Sequence, residues 1–271
     1  MVDISKYLNK TSAAIECAPE IKKLRSYLGM SELGHLCPRY LWYTFRWCYE
    51  KKIERRMLRL LERGKREEQV IINELKRIGI ICYSEQKEFV MTHGHCKGHI
   101  DGICIGVKEA PKTEHLLEIK TMAEKYFKKT KKEGIKISKP GYYAQAQIYM
   151  YKFGLTRTLF ICVNKNNDEL YIERIKLDKQ LAEELEIKVE DIILSENPPI
   201  TTFSSTWYEC KFCDANSICH YEKKVEENCR TCSSLDMEEK GKWFCTNYKL
   251  FLTTEQQRLA CKNYNLIPIL K

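Results

Sequence analysis

Hydrophobic and polar positions along this chain change period in blocks. Three segments carry short apolar or alternating runs of strand length: "GIICYSEQKEFVMT", "HCKGHIDGICIG" and "HLLEIKT". Two more follow, "RTLFICVNK" and "ELYIERIKL", with a turn at "NKNND" between them. Helical spacing marks the stretch from about Lys65 to Arg77 after Gly64, the segment "GYYAQAQIYMYKFG", and "DKQLAEELEIKVEDIILSENPP", which Pro198 and Pro199 end. Residues 1–60 read mostly helical, with Ser31 as an N-cap and Glu32 behind it. The segment "CPRYLWYTFRWCYEKKIERRMLRLLERG" is aromatic on one side and basic on the other, which predicts a helical wall packed on the core.

Helix, three strands, helix, two strands, helix is the order of an α/β sandwich: a mixed β-sheet flanked by helices. The predicted divisions are an N-terminal helical segment over 1–60, a core over 61–200, and two cysteine-bearing pieces over 201–224 and 225–271. A 44% hydrophobic fraction over 271 residues suffices for a sizeable core. No run approaches the ~20 apolar residues of a membrane span. The first residues lack the basic and apolar regions of a signal peptide, so a cytoplasmic protein is expected. Lys and Arg number 46 against 37 Asp and Glu, a net charge of +9 that suits a polyanionic partner. The excess concentrates in "EKYFKKTKKEGIKISKP", read as partly loop. It is either a solvated charge run or a phosphate-tracking surface, with Tyr126 and Phe127 either stacking on unpaired bases or belonging to the core.

The candidate chemistry lies in two of the apolar runs, with Asp101 in "GHIDGICIG" and Glu118 and Lys120 in "HLLEIKT". Two carboxylates supply hard oxygen ligands for Mg²⁺ or Mn²⁺, which lowers the pKa of a bound water and stabilises charge on a phosphate. Strand residues two apart share a face, so Glu118 and Lys120 project together while Leu117, Ile119 and Thr121 point away. The lysine then positions water or stabilises the transition state. This constellation resembles the PD-(D/E)xK nucleases, and more closely their RecB-like branch. The resemblance implies a restriction-endonuclease-like core over 61–200, with the backbone carbonyl of Ile119 as a further metal ligand. It extends to Gln145 and Tyr149, a Gln-x-x-x-Tyr pair on one helix face that orients the site or the strand. Gln147 and Tyr151 repeat the spacing and leave the register open. It also reaches Glu68, four residues after Gly64, which completes the metal site directly or through water. The family's Pro before the Asp is replaced by Ile100.

Fourteen cysteines in a chain without a secretory signal argue against a disulfide scaffold. Cys210, Cys213 and Cys219 are spaced x2 and x5; Cys229, Cys232, Cys245 and Cys261 follow. Cys37, ahead of the core in "SELGHLCPRYLWY", is the candidate fourth ligand for the first group. That placement resembles the iron–sulfur nucleases, among them the CRISPR-associated RecB-like exonucleases and the nuclease subunit AddB. It implies a 4Fe–4S cluster on Cys37, Cys210, Cys213 and Cys219. The rival is zinc on Cys213 with His220 or His35. The second group suits tetrahedral Zn²⁺, since a module of this size rarely folds on apolar burial alone. Free thiols or a second iron–sulfur cluster are the alternatives there.

The expected function is a metal-dependent DNA nuclease, an exonuclease by the family resemblance alone. It would serve repair, recombination, phage replication or CRISPR-type processing. No G-x-x-x-x-G-K-[ST] loop is present, so such a nuclease would use existing DNA ends or a helicase or recombination partner. Two rivals come from other classes: a non-catalytic nucleic-acid-binding protein on a nuclease fold, and an iron–sulfur redox scaffold.

Overall fold

The computed structural model describes residues 5–17, 25–51 and 53–270. In chain order the elements are α1 (Ser5–Cys17), β1 (Leu28–Gly29), α2 (Pro38–Phe45), α3 (Arg55–Arg77), β2 (Ile81–Tyr83), β3 (Glu88–Met91), β4 (Cys96–His99) and β5 (Gly102–Ile105). Then come β6 (His115–Met122), α4 (Glu124–Glu133), α5 (Ile135–Ser138), α6 (Pro140–Phe153), β7 (Arg157–Asn164), β8 (Leu170–Lys176) and α7 (Lys179–Leu194). The C-terminal part holds α8 (Tyr208–Lys211), α9 (Asn216–His220), β9 (Leu235–Glu238), β10 (Lys242–Cys245) and β11 (Leu250–Phe251).

A mixed five-stranded sheet, in the order β2-β5-β6-β7-β8, carries helices on both faces. This is the α/β class read from the sequence. Only β6 and β7 run parallel in it, with Glu118 opposite Phe160 and Lys120 opposite Cys162. Alternation along β6 and β7 builds two cores. Leu117, Ile119, Leu159, Ile161 and Val163 pack with Ile71, Ile72 and Leu75 of α3. Leu116, Met122, Phe160 and Cys162 belong to the larger core, shared with Ala146, Ile148 and Met150 of α6 and Val189, Ile192 and Ile193 of α7. Glu118 and Lys120 therefore lie on the α6 side.

Several local expectations are corrected. Ser31 is no N-cap; it lies inside a 3₁₀ turn over Met30–Glu32 whose cap is Gly29. Helix α3 starts at Arg55 and runs through Gly64, because its Leu, Arg and Glu residues are strong enough helix formers to absorb one glycine. "GIICYSEQKEFVMT" is two strands in two sheets. Ser84 and Gln86 adopt left-handed backbone (φ 53° and 55°) and turn the chain out of the first sheet. "HCKGHIDGICIG" splits likewise into β4 and β5, leaving Ile100 and Asp101 at the bend. The basic run is helical as α4 and α5, broken at Gly134 (φ +73°) and again at Lys139 before α6. Phe127 is fully buried and cannot meet a base, whereas Tyr126 is 48% exposed.

The second sheet, β1-β4-β3, joins the N-terminal segment to the core, and the third, β11-β10-β9, forms the tail. The tail docks on the second sheet. His95 Nε2 lies 2.8 Å from the carbonyl of Glu238, and a Cβ on Gly94 would meet the backbone of Gly241. Trp243 of β10 is buried against Phe45 of α2. Among the described residues no helix is long and apolar enough to cross a membrane.

Candidate functional site

Asp101 is delivered by the bend between β4 and β5, and Glu118 and Lys120 by the middle of β6. The backbone N–H of Ile119 donates to Asp101 Oδ2 at 2.7 Å, which locks the carboxylate beside the strand. Lys120 Nζ forms an ion pair with Glu118, stands 4.0 Å from Asp101 Oδ2, and donates to the carbonyl of Ile119 at 3.3 Å. Glu118 is fully buried, and neither of its oxygens has a well-formed hydrogen bond beyond the Lys120 ion pair. Burial raises its pKa, opposed by Lys120 and reinforced by Asp101 and Glu68. The Lys120 pKa is raised as well: burial works against it, but Glu118 and Asp101 outweigh burial and hold the lysine protonated. Glu68 of α3 completes the acidic group. Burial first, then the charge of Asp101, pushes its pKa up to about 7, and Gln86 Nε2 donates to it at 3.5 Å.

Helix α6 closes the site from the other side and separates the two candidate registers. Tyr149 is buried and feels the charges of Glu118, Lys120 and Asp101, and Gln145 hydrogen-bonds to it. Gln147 is taken up elsewhere: it donates to the carbonyl of Lys176 at 3.2 Å and accepts from the N–H of Asp178 at 2.7 Å. Tyr151 donates to Glu183 of α7 at 3.3 Å. Only the Gln145–Tyr149 pair faces the carboxylates. A Cβ on Gly98 of β4 would overlap the Tyr149 hydroxyl, so glycine there is what lets the ring in. Tyr142, which the sequence reading passed over, stands with its ring centre 5.6 Å from Lys120 Nζ. Its place three residues before Gln145 on the same helix face was the available signal.

Eight of the fourteen cysteines gather in two cavities. One is lined by Cys37, Cys210, Cys213 and Cys219 together with His35 and His220. Cys37 caps α2 in extended backbone, a geometry that Pro38 at the first helical position favours. The short helices α8 and α9 fold the x2 and x5 spacings back on themselves, with Cys213 N donating to Cys210 O at 3.1 Å. Arg39 Nη1 reaches Cys219 Sγ at 3.8 Å, and His35 Nδ1 accepts from the N–H of Cys37 at 3.1 Å. Burial pushes the Cys213 thiol up to about 11. The other cavity is lined by Cys229, Cys232, Cys245 and Cys261. Burial, then the three neighbouring cysteines, pushes Cys229 up to about 11. Among the described residues no three His, Cys, Asp or Glu side chains already stand in metal-ligating geometry. Each cavity is thus lined by four cysteine side chains.

Between Cys229 and Cys232 lies Arg230, completely buried and absent from the sequence reading. It donates to the carbonyls of Phe45 (2.9 Å) and Ser26 (2.8 Å) and to Gln257 Oε1 (3.0 Å). Trp47 and Trp243 cover it at 3.9 and 4.5 Å.

No protein-family model matches the sequence, and no curated protein matches it. Solved structures that resemble the chain include "Crystal structure of SSO0001", at 19% identity and a TM-score of 0.41, covering 80% of this chain and 96% of that one. A crystal structure of an alkaline exonuclease (LHK-Exo) from Laribacter hongkongensis matches at 17% identity and a TM-score of 0.41, covering 62% of this chain and 86% of that one. LHK-Exo in complex with dAMP matches at 18% and 0.42 over the same shares. The likeness is distant in all three.

Proposed function

We propose that this chain is a metal-dependent DNA nuclease of the RecB-like PD-(D/E)xK type, acting as an exonuclease. The observation that carries the reading is the convergence of Asp101, Glu118, Glu68 and Lys120 on one buried point, with Gln145 and Tyr149 closing it. The donor set fits a hard divalent cation: three clustered carboxylates, two of them with raised pKa values, and one whose buried oxygens meet only an ammonium. Asp101, Glu118 and the carbonyl of Ile119 would hold Mg²⁺ or Mn²⁺, with Glu68 directly or through water. The bound ion would supply Lewis acidity toward the phosphate and a more acidic water.

The protein's own groups do the rest. Asp101 is held by the Ile119 N–H, so its free oxygen keeps one direction. Lys120 is a fixed cation between two carboxylates and orients the attacking water or stabilises the charged transition state. Gln145 fixes the Tyr149 hydroxyl, which orients the site from the α6 side. Exonuclease over endonuclease rests on the family resemblance of the motifs. Without a phosphate-binding motor loop, the enzyme would act at existing ends or with a helicase or recombination partner.

The cysteine cavities enter the same reading. Cys37, Cys210, Cys213 and Cys219 would hold a 4Fe–4S cluster that ties the segment before the core to the one after it. Support comes from four cysteines in one cavity, with Arg39 Nη1 3.8 Å from Cys219 Sγ. Cys229, Cys232, Cys245 and Cys261 would hold Zn²⁺. Anaerobically purified protein should then contain about four iron and one zinc per chain. Cys37→Ser should lose the iron.

The reading is tested by incubating the protein with linear and circular DNA in Mg²⁺, Mn²⁺ or EDTA. Loss of linear DNA in either metal and none in EDTA is the expected result. Cutting of circles would make it an endonuclease. Intact DNA in every condition, with binding retained, would establish a non-catalytic DNA-binding protein instead.

A further inference from the structure

The parallel pair β6 and β7 ends at Met122 and Asn164, which face each other. Ligands of α/β sheets gather beyond the carboxyl ends of parallel strands. Three side chains stand at this end. Lys165 follows β7 and is pinned there: its N–H donates to Met122 O at 2.8 Å, and its carbonyl accepts from Arg63 Nη2 at 3.0 Å. Tyr126 sits in the first turn of α4, half exposed. Lys139, immediately before α6, holds its ammonium 4.1 Å from the centre of the Tyr126 ring.

Among the described residues no ion pair includes Lys139 or Lys165, whereas the carboxylates nearby are engaged. Glu124 pairs with Lys128 at 2.7 Å, Glu169 with Lys131 at 2.5 Å and Asp168 with Arg63 at 3.9 Å. Burial, then the like charge of Lys129 or Arg63, lowers the pKa of each lysine. Burial raises the Cys162 thiol pKa, and the charges of Lys120, Lys165 and Lys139 all pull against that; Cys162 is the β7 residue that pairs across the sheet with Lys120. The three side chains thus sit at the carboxyl end of the strand pair whose β6 carries the candidate catalytic lysine. Partly desolvated cations without a counter-ion are costly unless an anion arrives.

We propose that Lys139, Lys165 and Tyr126 form a subsite that grips one DNA strand beside the scissile phosphate, the ammoniums on a backbone phosphate and the ring on an unpaired base. It deepens the nuclease reading, on which its place beside a scissile bond depends; its binding does not depend on cleavage. It also moves the phosphate contacts away from Lys128, Lys129 and Lys131, which already have carboxylate partners.

The test is fluorescence anisotropy of a labelled single-stranded oligonucleotide in EDTA, across a salt series, beside cleavage assays in Mg²⁺ or Mn²⁺. Tyr126→Ala should weaken single-strand binding about tenfold, and Tyr126→Phe should restore it. Binding to blunt duplex should not change with either. Lys139→Gln with Lys165→Gln should flatten the slope of log K against log salt by about 1.4, at ~0.7 for each lost contact. Lys139→Arg should keep it. An unchanged slope in the double variant, or equal loss with Tyr126→Ala and Tyr126→Phe, overturns the subsite. If the wild type cleaves but these variants bind normally, the subsite falls and the nuclease stands. If the variants lose binding but the wild type never cleaves, the nuclease falls and the strand-binding site stands.

Discussion

Two regions of this molecule bury charge, and they do so in opposite ways. Around β6, three carboxylates and one lysine share a pocket whose buried Glu118 oxygens find only an ammonium. Around the tail, Arg230 and Arg46 are buried with no ion pair to a carboxylate among the described residues. Arg230 is nonetheless satisfied by two carbonyls, an amide oxygen and two indole faces. A buried guanidinium such as that of Arg230, with each of its nitrogens hydrogen-bonded, is a fastener. A buried acidic group with unused acceptors is built for something that is not part of the chain. The first region is therefore expected to govern reaction, and the second to govern folding.

The largest effect should come from the acidic pocket. Glu118→Ala and Lys120→Ala should each lower cleavage by about 10³-fold while DNA binding stays within a few-fold, since neither group is needed for long-range phosphate attraction. Nuclease and gel-shift assays on the same preparations decide this. Cleavage near wild type in Lys120→Ala would remove the lysine from the mechanism. The matching change in the other region is Arg230→Met. It leaves the Phe45 and Ser26 carbonyls and Gln257 without their donor and should cost about 3 kcal/mol in a denaturant melt. Because Arg230 ties residues before the core to the tail, the loss should appear in one shared transition. A melt in which only the tail loosens would make the arginine a local feature.

The two regions should also titrate with opposite signs in metal-free protein. His95 is buried beside Arg230 and Arg46, and burial drives its pKa down to about 4. Between its usual 6.5 and 4 the unfolded chain binds more protons. Stability contributed there is complete above 6.5 and falls toward pH 4, by at most about 3 kcal/mol. Glu68 runs the other way. With its pKa near 7 in the fold against 4.5 unfolded, the native state binds more protons between those values, so its contribution is lost as pH rises through them. Urea melts in EDTA from pH 4 to 7 should show His95→Gln removing the first slope and Glu68→Gln the second. The smallest effect concerns the two tyrosines of α6. Tyr149→Phe should reduce cleavage about tenfold, whereas Tyr151→Phe, which removes a hydroxyl that donates to Glu183 of α7, should leave it unchanged.

Much was legible in the sequence, for physical reasons. The alternation in "HLLEIKT" requires Glu118 and Lys120 on one face and Leu117 and Ile119 on the other, because a strand has a period of two whatever surrounds it. Helical spacing likewise put Gln145 with Tyr149, and Gln147 with Tyr151, on common faces of α6. Which pair faces the carboxylates was decided only when α6 packed between the sheet and α7. The split of one apolar run into β4 and β5, which aims Asp101, depends on two sheets competing for the same segment. Arg230 was invisible because a lone arginine between two cysteines reads as surface; its partners lie at Ser26, Phe45 and Gln257, far away in the chain. Tyr126 and Lys139 stand far apart within one basic run and Lys165 follows β7; that they share the end of a parallel strand pair is a result of the fold. Local periodicity is a property of the backbone and survives in the sequence; the choice among faces, and the meeting of distant side chains, belongs to packing.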